Sequence, residues 1–66
     1  MTGADVTKRR EELGITKAQL ARLLGVIPTT VQNYEIPTRV MRINTERVIR
    51  QVFDRIEQEQ QRAKSA

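Results

Sequence analysis

Three polar side chains stand close together in the stretch "PTTVQNYE": Thr29, Gln32 and Asn33. At about 100° per residue they share one side of a helix, and Val31, Tyr34 and Glu35 take the other. The carboxamides of Gln and Asn each carry a donor beside an acceptor. Each can therefore pair with N6 and N7 of an adenine edge, while Thr can hydrogen-bond or touch a methyl group. The bland alternative is three solvated polar side chains. Which reading holds depends on what positions this helix.

The charges favour an anionic partner. Lys and Arg number 12 against 8 acids, and nine of the twelve are Arg. The guanidinium fork matches phosphate oxygens, so nucleic acid is the natural candidate, against a surface that is merely basic and solvated. Cys and His are both absent. That removes disulfides, Cys-based metal sites, and the commonest general base and metal ligand. The acids Glu11, Glu12, Glu46 and Asp54 are scattered among arginines. Glu46 and Asp54 each lie four residues from Arg50, the spacing of surface ion pairs on a helix. No nucleophile–base pair or phosphate-cradling loop is present. The chain is expected not to be an enzyme and to use no cofactor and no metal.

A chain of 66 residues makes one domain near the lower size limit for independent folding. No apolar run approaches the ~20 residues that span a bilayer. The start "MTGADVTKRREE" lacks a signal peptide's apolar segment. A cytoplasmic protein without a membrane partner is expected.

The pattern reads as all-α, with four helices or five and the last one longest. Thr2 with Asp5 forms a capping box for a first helix, and Gly14 is its stop. Thr16 with Gln19 forms a second box, and Gly25 ends that helix. A third helix runs to about Glu35, and Pro37 prevents its continuation. Asn44 or Thr45 starts the fourth, with Ile43 and Val48 as staple residues. Val48, Ile49, Val52, Phe53 and Ile56 are its apolar stripe. The domain is expected over 1–57, with 58–66 a polar, fraying tail.

Ala21, Gly25 and Val31 carry the most specific signal. Ala21 is small where two helices would cross, Gly25 stands at the turn, and Val31 faces inward from the next helix. Leu20, Leu24, Val26 and Tyr34 flank them. A larger residue at 21 would push the helices apart. A side chain at 25 would cost ~1–2 kcal/mol in a left-handed backbone. A helical hairpin without special function would share the apolar spacing alone. The segment "RREELGITKAQLARLLGVIPTTVQNYE" resembles the helix-turn-helix of the phage Cro and repressor family. The resemblance covers Val6 to Glu35 and implies a small helical domain that binds operator DNA as a dimer. It also implies a phosphate contact for Lys17, and an ion pair between Arg10 and Glu35.

Pro28 fits this reading. With Ile27 as cap, Pro28 is the first helical residue, where its missing N–H leaves nothing unpaired. It also holds Ile27 extended, as a cap requires, and Val26 with Val31 serves as staple. The family usually has polar residues at both positions. Here Ile27 and Pro28 can at most touch a thymine methyl. Base readout is therefore assigned to Thr29, Gln32 and Asn33, with Pro28 beside them. Phosphate contact is assigned to Thr16, Lys17, Arg39 and Arg42. Tyr34 is either core or a further phosphate contact through its hydroxyl.

Beyond Glu35 the resemblance weakens, because "IPTRVMRI" lacks the family's usual glycine and one long helix stands in for two. Val40, Met41, Ile49, Val52, Phe53 and Ile56 exceed what so small a core requires, and a homodimer interface is expected there. The function expected is a sequence-specific transcriptional regulator, a repressor on a palindromic operator. Two alternatives stay open. One is an antitoxin-type module that also holds a protein partner. The other is an architectural or recombination accessory protein.

Overall fold

The computed structural model describes residues 1–65. Four helices follow in order: α1 (Gly3–Glu12), α2 (Lys17–Leu24), α3 (Pro28–Tyr34) and α4 (Ile43–Ser65). Both expected capping boxes are formed. Thr2 N–H donates to Asp5 and Asp5 N–H to the Thr2 hydroxyl. Thr16 and Gln19 repeat this reciprocal pair at α2. The bonds from Thr2 hold the Asp5 carboxyl below its ordinary carboxylate range. Their contribution is thus present above that ordinary range and lost as pH falls through the lowered value.

Both expected glycine stops are left-handed, with φ of 71° at Gly14 and 74° at Gly25. Each closes its helix by two backbone bonds. After α1, Gly14 N–H donates to the Glu11 carbonyl and Ile15 N–H to that of Arg10. After α2, Gly25 N–H donates to Arg22 and Val26 N–H to Ala21. These 5→2 and 6→1 bonds satisfy carbonyls that the helix leaves unpaired.

The core joins Val6, Leu20, Ala21, Val31, Met41, Ile49, Phe53 and Ile56, all buried. This corrects the expected dimer interface. Met41, Ile49, Phe53 and Ile56 are consumed inside the protomer, where they cover α1, α2 and α3. Val52 is half-buried against the same core. Of the six expected residues, Val40 alone is exposed, at 73%. The reason is size: so short a chain needs the apolar stripe of its longest helix to complete a single core.

Helix α4 begins at Ile43, earlier than expected, because the Arg42 carbonyl accepts the first helical bond, from Glu46 N–H. Asn44 is therefore inside the helix. The expected staple pair, Ile43 and Val48, is exposed. At the other end α4 continues through Gln58 to Ser65, where a polar tail was expected. Gln, Glu, Arg and Ala are good helix formers, and Gln60 Nε2 donates to the Leu13 carbonyl. Ala66, the last residue of that expected tail, lies outside the described residues. Arg9 also fastens α1 to α4: its guanidinium lies over the Phe53 ring and donates to Asp54 and Glu57. Asp54 thus pairs with Arg9 in place of Arg50, which bonds Glu46 as expected.

Gly3 was assigned no role by the sequence, yet it seats the loop after α3. A Cβ there would stand 1.9 Å from the Ile36 carbonyl oxygen, inside any permitted contact. Gly3 N–H donates to the Arg39 carbonyl at 2.9 Å, and Met41 N–H donates to the Met1 carbonyl at 3.0 Å. The glycine missing from "IPTRVMRI" is supplied from the far end of the chain.

Arg10 and Glu35 are joined as the family resemblance implies. Arg10 Nε donates to Glu35 Oε2 at 2.9 Å and Nη2 donates to Oε1 at 3.2 Å. The Thr7 hydroxyl adds a third bond to Oε1, and Arg10 Nη1 reaches the Ile15 carbonyl. Glu35 is only 7% exposed, so its charge is compensated by these bonds and not by water. Arg10→Ala or Glu35→Ala is expected to cost about 3–5 kcal/mol of stability, since each leaves the other charge buried alone. Denaturant titration of both single variants and the double variant is expected to show strong coupling; additive losses would refute it.

Candidate nucleic-acid interface

The position of α3 follows from its crossing with α2. Ala21 is buried at that crossing, and the two bonds closing α2 turn the chain within the residues Gly25 to Ile27. Ile27 is extended, with φ −82° and ψ 155°, and makes no side-chain cap bond. Pro28 is the first residue of α3, and Thr30 N–H donates to the Ile27 carbonyl. Val26 and Val31 both belong to the apolar cluster. Backbone restriction and apolar contact thus start α3 in the absence of a polar cap.

Rotation about α3 divides the helix as the sequence predicts. Val31 is completely buried and Glu35, at its C-terminal end, is buried on the ion pair. Thr29, Gln32 and Asn33 are exposed, as are Ile27 and Pro28. The hydrogen-bonding groups of Thr29, Gln32 and Asn33 therefore face outward from a helix whose inner side is anchored in the core. Thr30 is half-buried between the two sides.

The expected phosphate contacts are all exposed except Tyr34. Lys17 opens α2. The Thr16 hydroxyl is engaged as an acceptor by Gln19 N–H, so only its own hydrogen remains to donate. The N–H groups of Lys17 and Ala18 stay outside the capping box, at the positive end of the helix. Arg39 and Arg42 lie in the segment between α3 and α4. Tyr34 is half-buried against the core, and its ring carries the Arg39 guanidinium at 5.4 Å from the centroid.

The distribution of acids sharpens this surface. From Leu13 to Thr45 the chain has one carboxylate, Glu35, and that one is buried on Arg10. Over the same span stand Lys17, Arg22, Arg39 and Arg42. Among the described residues none of these four takes part in an ion pair, whereas Arg9, Arg10 and Arg50 all do. Within Leu13 to Thr45 the chain therefore exposes bases and no carboxylate, a local excess of positive charge. That acid-free run is visible in the sequence. Thr7 also escaped the sequence reading, although it lies three residues before Arg10 on the same helical side.

Comparison with known families agrees with the geometry. Residues 6–36 match the helix-turn-helix family model. The matched span starts in α1 and ends just past the Glu35 ion pair. Residues 6–36 form a helix-turn-helix of this family. It is the family that the sequence resemblance indicates, and its domain is a DNA-binding one of the transcription-regulator type. Neither the curated proteins nor the solved structures hold a significant match to the chain. No helix among the described residues is long and apolar enough to cross a membrane.

Lys17, inside the helix-turn-helix, and Arg42, beyond it, are exposed and have no carboxylate partner among the described residues. Lys17→Ala or Arg42→Ala is expected to weaken binding to every DNA sequence by a similar factor. Titrations at several salt concentrations are expected to show the slope of log affinity against log salt shallower by about one for each. A loss confined to one sequence would contradict the assignment.

Proposed function

We propose that this protein is a sequence-specific DNA-binding regulator of transcription, a repressor that binds a palindromic operator as a homodimer, and not an enzyme. One observation carries the reading. Thr29, Gln32 and Asn33 are exposed on α3, whose opposite side is anchored by Val31 and by the Glu35 ion pair. In this reading α3 enters the major groove. Gln32 and Asn33 each bond an adenine edge, Thr29 reads the neighbouring pair, and Pro28 with Ile27 lies against thymine methyls. Lys17, Thr16, Arg39 and Arg42 hold the flanking phosphates and set the register.

The dimer would place two copies of α3 about 34 Å apart, in successive major grooves. With Met41, Ile49, Phe53 and Ile56 used in the core, its apolar contact falls to other side chains. Val40, Ile43 and Val48 are 73%, 68% and 50% exposed near the start of α4. These exposed apolar side chains are the ones this reading can draw on. They equally favour a second reading, an antitoxin-type module whose partner is a different protein. A protein that copurifies in fixed stoichiometry would decide for that alternative.

Asn33→Ala and Gln32→Ala are each expected to relax preference at a single base position by ~1–3 kcal/mol. Selection of bound sites from random DNA, run on the wild type and both variants, measures this directly. Unchanged site preference in both variants would remove the readout assignment. The same selection is expected to return two inverted half-sites spaced by one helical turn. Sedimentation of the protein, free and bound to the selected duplex, is expected to give two chains per duplex. One chain in both conditions would rule out the dimer.

A further inference from the structure

We infer that Tyr34 is a positioning residue: its ring holds the Arg39 guanidinium in place for a DNA phosphate, and its hydroxyl is dispensable. This rests on the DNA-binding reading above and assigns Tyr34 a part in it that neither the core nor a direct contact describes.

Arg39 is fixed at three points. Its N–H donates to the Ile36 carbonyl at 3.0 Å, and its carbonyl accepts from Gly3 N–H at 2.9 Å. Its guanidinium stands 5.4 Å from the centroid of the Tyr34 ring. The ring is itself immobilised, half-buried against the core and one residue before the buried Glu35. A long side chain on an exposed loop thus has a defined direction, in a class of residue that ordinarily gives up much rotamer freedom on binding.

The comparison with Arg9 shows what this arrangement is for. Arg9 lies over the Phe53 ring at 5.5 Å, nearly the same distance. It is also neutralised by Asp54 and Glu57, at 2.6 and 3.0 Å. Arg9 is a structural fastener with its charge fully used. Arg39 has the ring and no carboxylate among the described residues. Its five N–H donors form a planar fork, and contact with the ring face engages none of them as hydrogen-bond donors, which leaves them for an anion. The nearest helix that could enter DNA is the one that carries Tyr34. Arg39 is therefore held beside the C-terminal end of α3, and the anion it fits is a backbone phosphate beside the base pairs that α3 would read.

The test uses the full-length chain and a labelled mixed-sequence DNA duplex, because a phosphate contact is sequence-independent. Tyr34→Phe is expected to bind like the wild type. Tyr34→Leu is expected to bind roughly two- to fivefold more weakly, the range for an exposed cation–π contact. In the Tyr34→Leu background, Arg39→Ala is expected to cost much less than it does in the wild type, whereas Lys17→Ala costs the same in both. A generally loosened fold would not make that distinction.

Losses from Tyr34→Leu and Arg39→Ala that add in full would overturn the proposal. So would a Tyr34→Phe variant as weak as Arg39→Ala, which would make the hydroxyl the contact. If those variants fail while Lys17→Ala still shallows the salt slope, the DNA-binding reading stands and the platform falls. A wild type that does not bind the duplex at any salt concentration overturns both. Should Tyr34→Leu not fold, NMR of the wild type and Tyr34→Phe decides. Ring-current shifts of the Arg39 side-chain protons are expected in both, and their absence from the wild type refutes the platform.

Discussion

The buried carboxylate of Glu35 is the constraint around which this domain is arranged. A charge that is 7% exposed must be met by donors, and α1 supplies all of them: Arg10 by two bonds and Thr7 by one. The pairing fixes the end of α3 to the middle of α1. Arg10 also donates to the Ile15 carbonyl, so the same guanidinium holds the turn that leads into α2. Three helices are thereby set in one geometry by a single polar cluster, and no buried side-chain polar atom among the described residues is left unpaired. A hydrophobic replacement of similar volume could match its stability, whereas removal of one partner alone leaves a buried charge uncompensated.

The exposure of α3 follows from this. With Glu35 and Val31 held inward, the rotation of the helix is no longer free, and Thr29, Gln32 and Asn33 can only face solvent. The electrostatics follow too. Since Glu35 is internal, the surface from Leu13 to Thr45 has bases and no accessible acid. One interaction thus stabilises the fold and removes that segment's single carboxylate from the surface.

The loop after α3 meets a second constraint, the close passage of backbone past backbone. Gly3 lies against the Ile36 carbonyl so tightly that no side chain fits. That contact, with the bonds from Gly3 and Met41, ties the loop to the chain's first residues. In the loop so tied, the Arg39 guanidinium lies over the Tyr34 ring. The order of the loop owes less to its own turn residues than to a partner 33 residues away along the chain (Gly3 to Ile36).

Local chemistry determined much of this protein. Capping boxes at Thr2 and Thr16, left-handed glycines at 14 and 25, and Pro28 at the start of α3 depend only on neighbours a few residues away, so spacing alone exposed them. The outward face of α3 followed from helical rotation about Val31. What spacing could not give was the fate of each apolar side chain in α4. Periodicity says that Ile49, Phe53 and Ile56 share a face. It does not say whether that face meets the chain's own core or a second copy, and only the tertiary packing put them inside and left Ile43 and Val48 outside. Asp54 similarly had two basic partners within reach, and the approach of α1 to α4 chose Arg9. Gly3 carried no local signal at all, because its role is defined by an atom of another segment. Features set by neighbours in sequence were legible; features set by the approach of distant segments required the fold, since burial and steric fit are properties of the assembled chain.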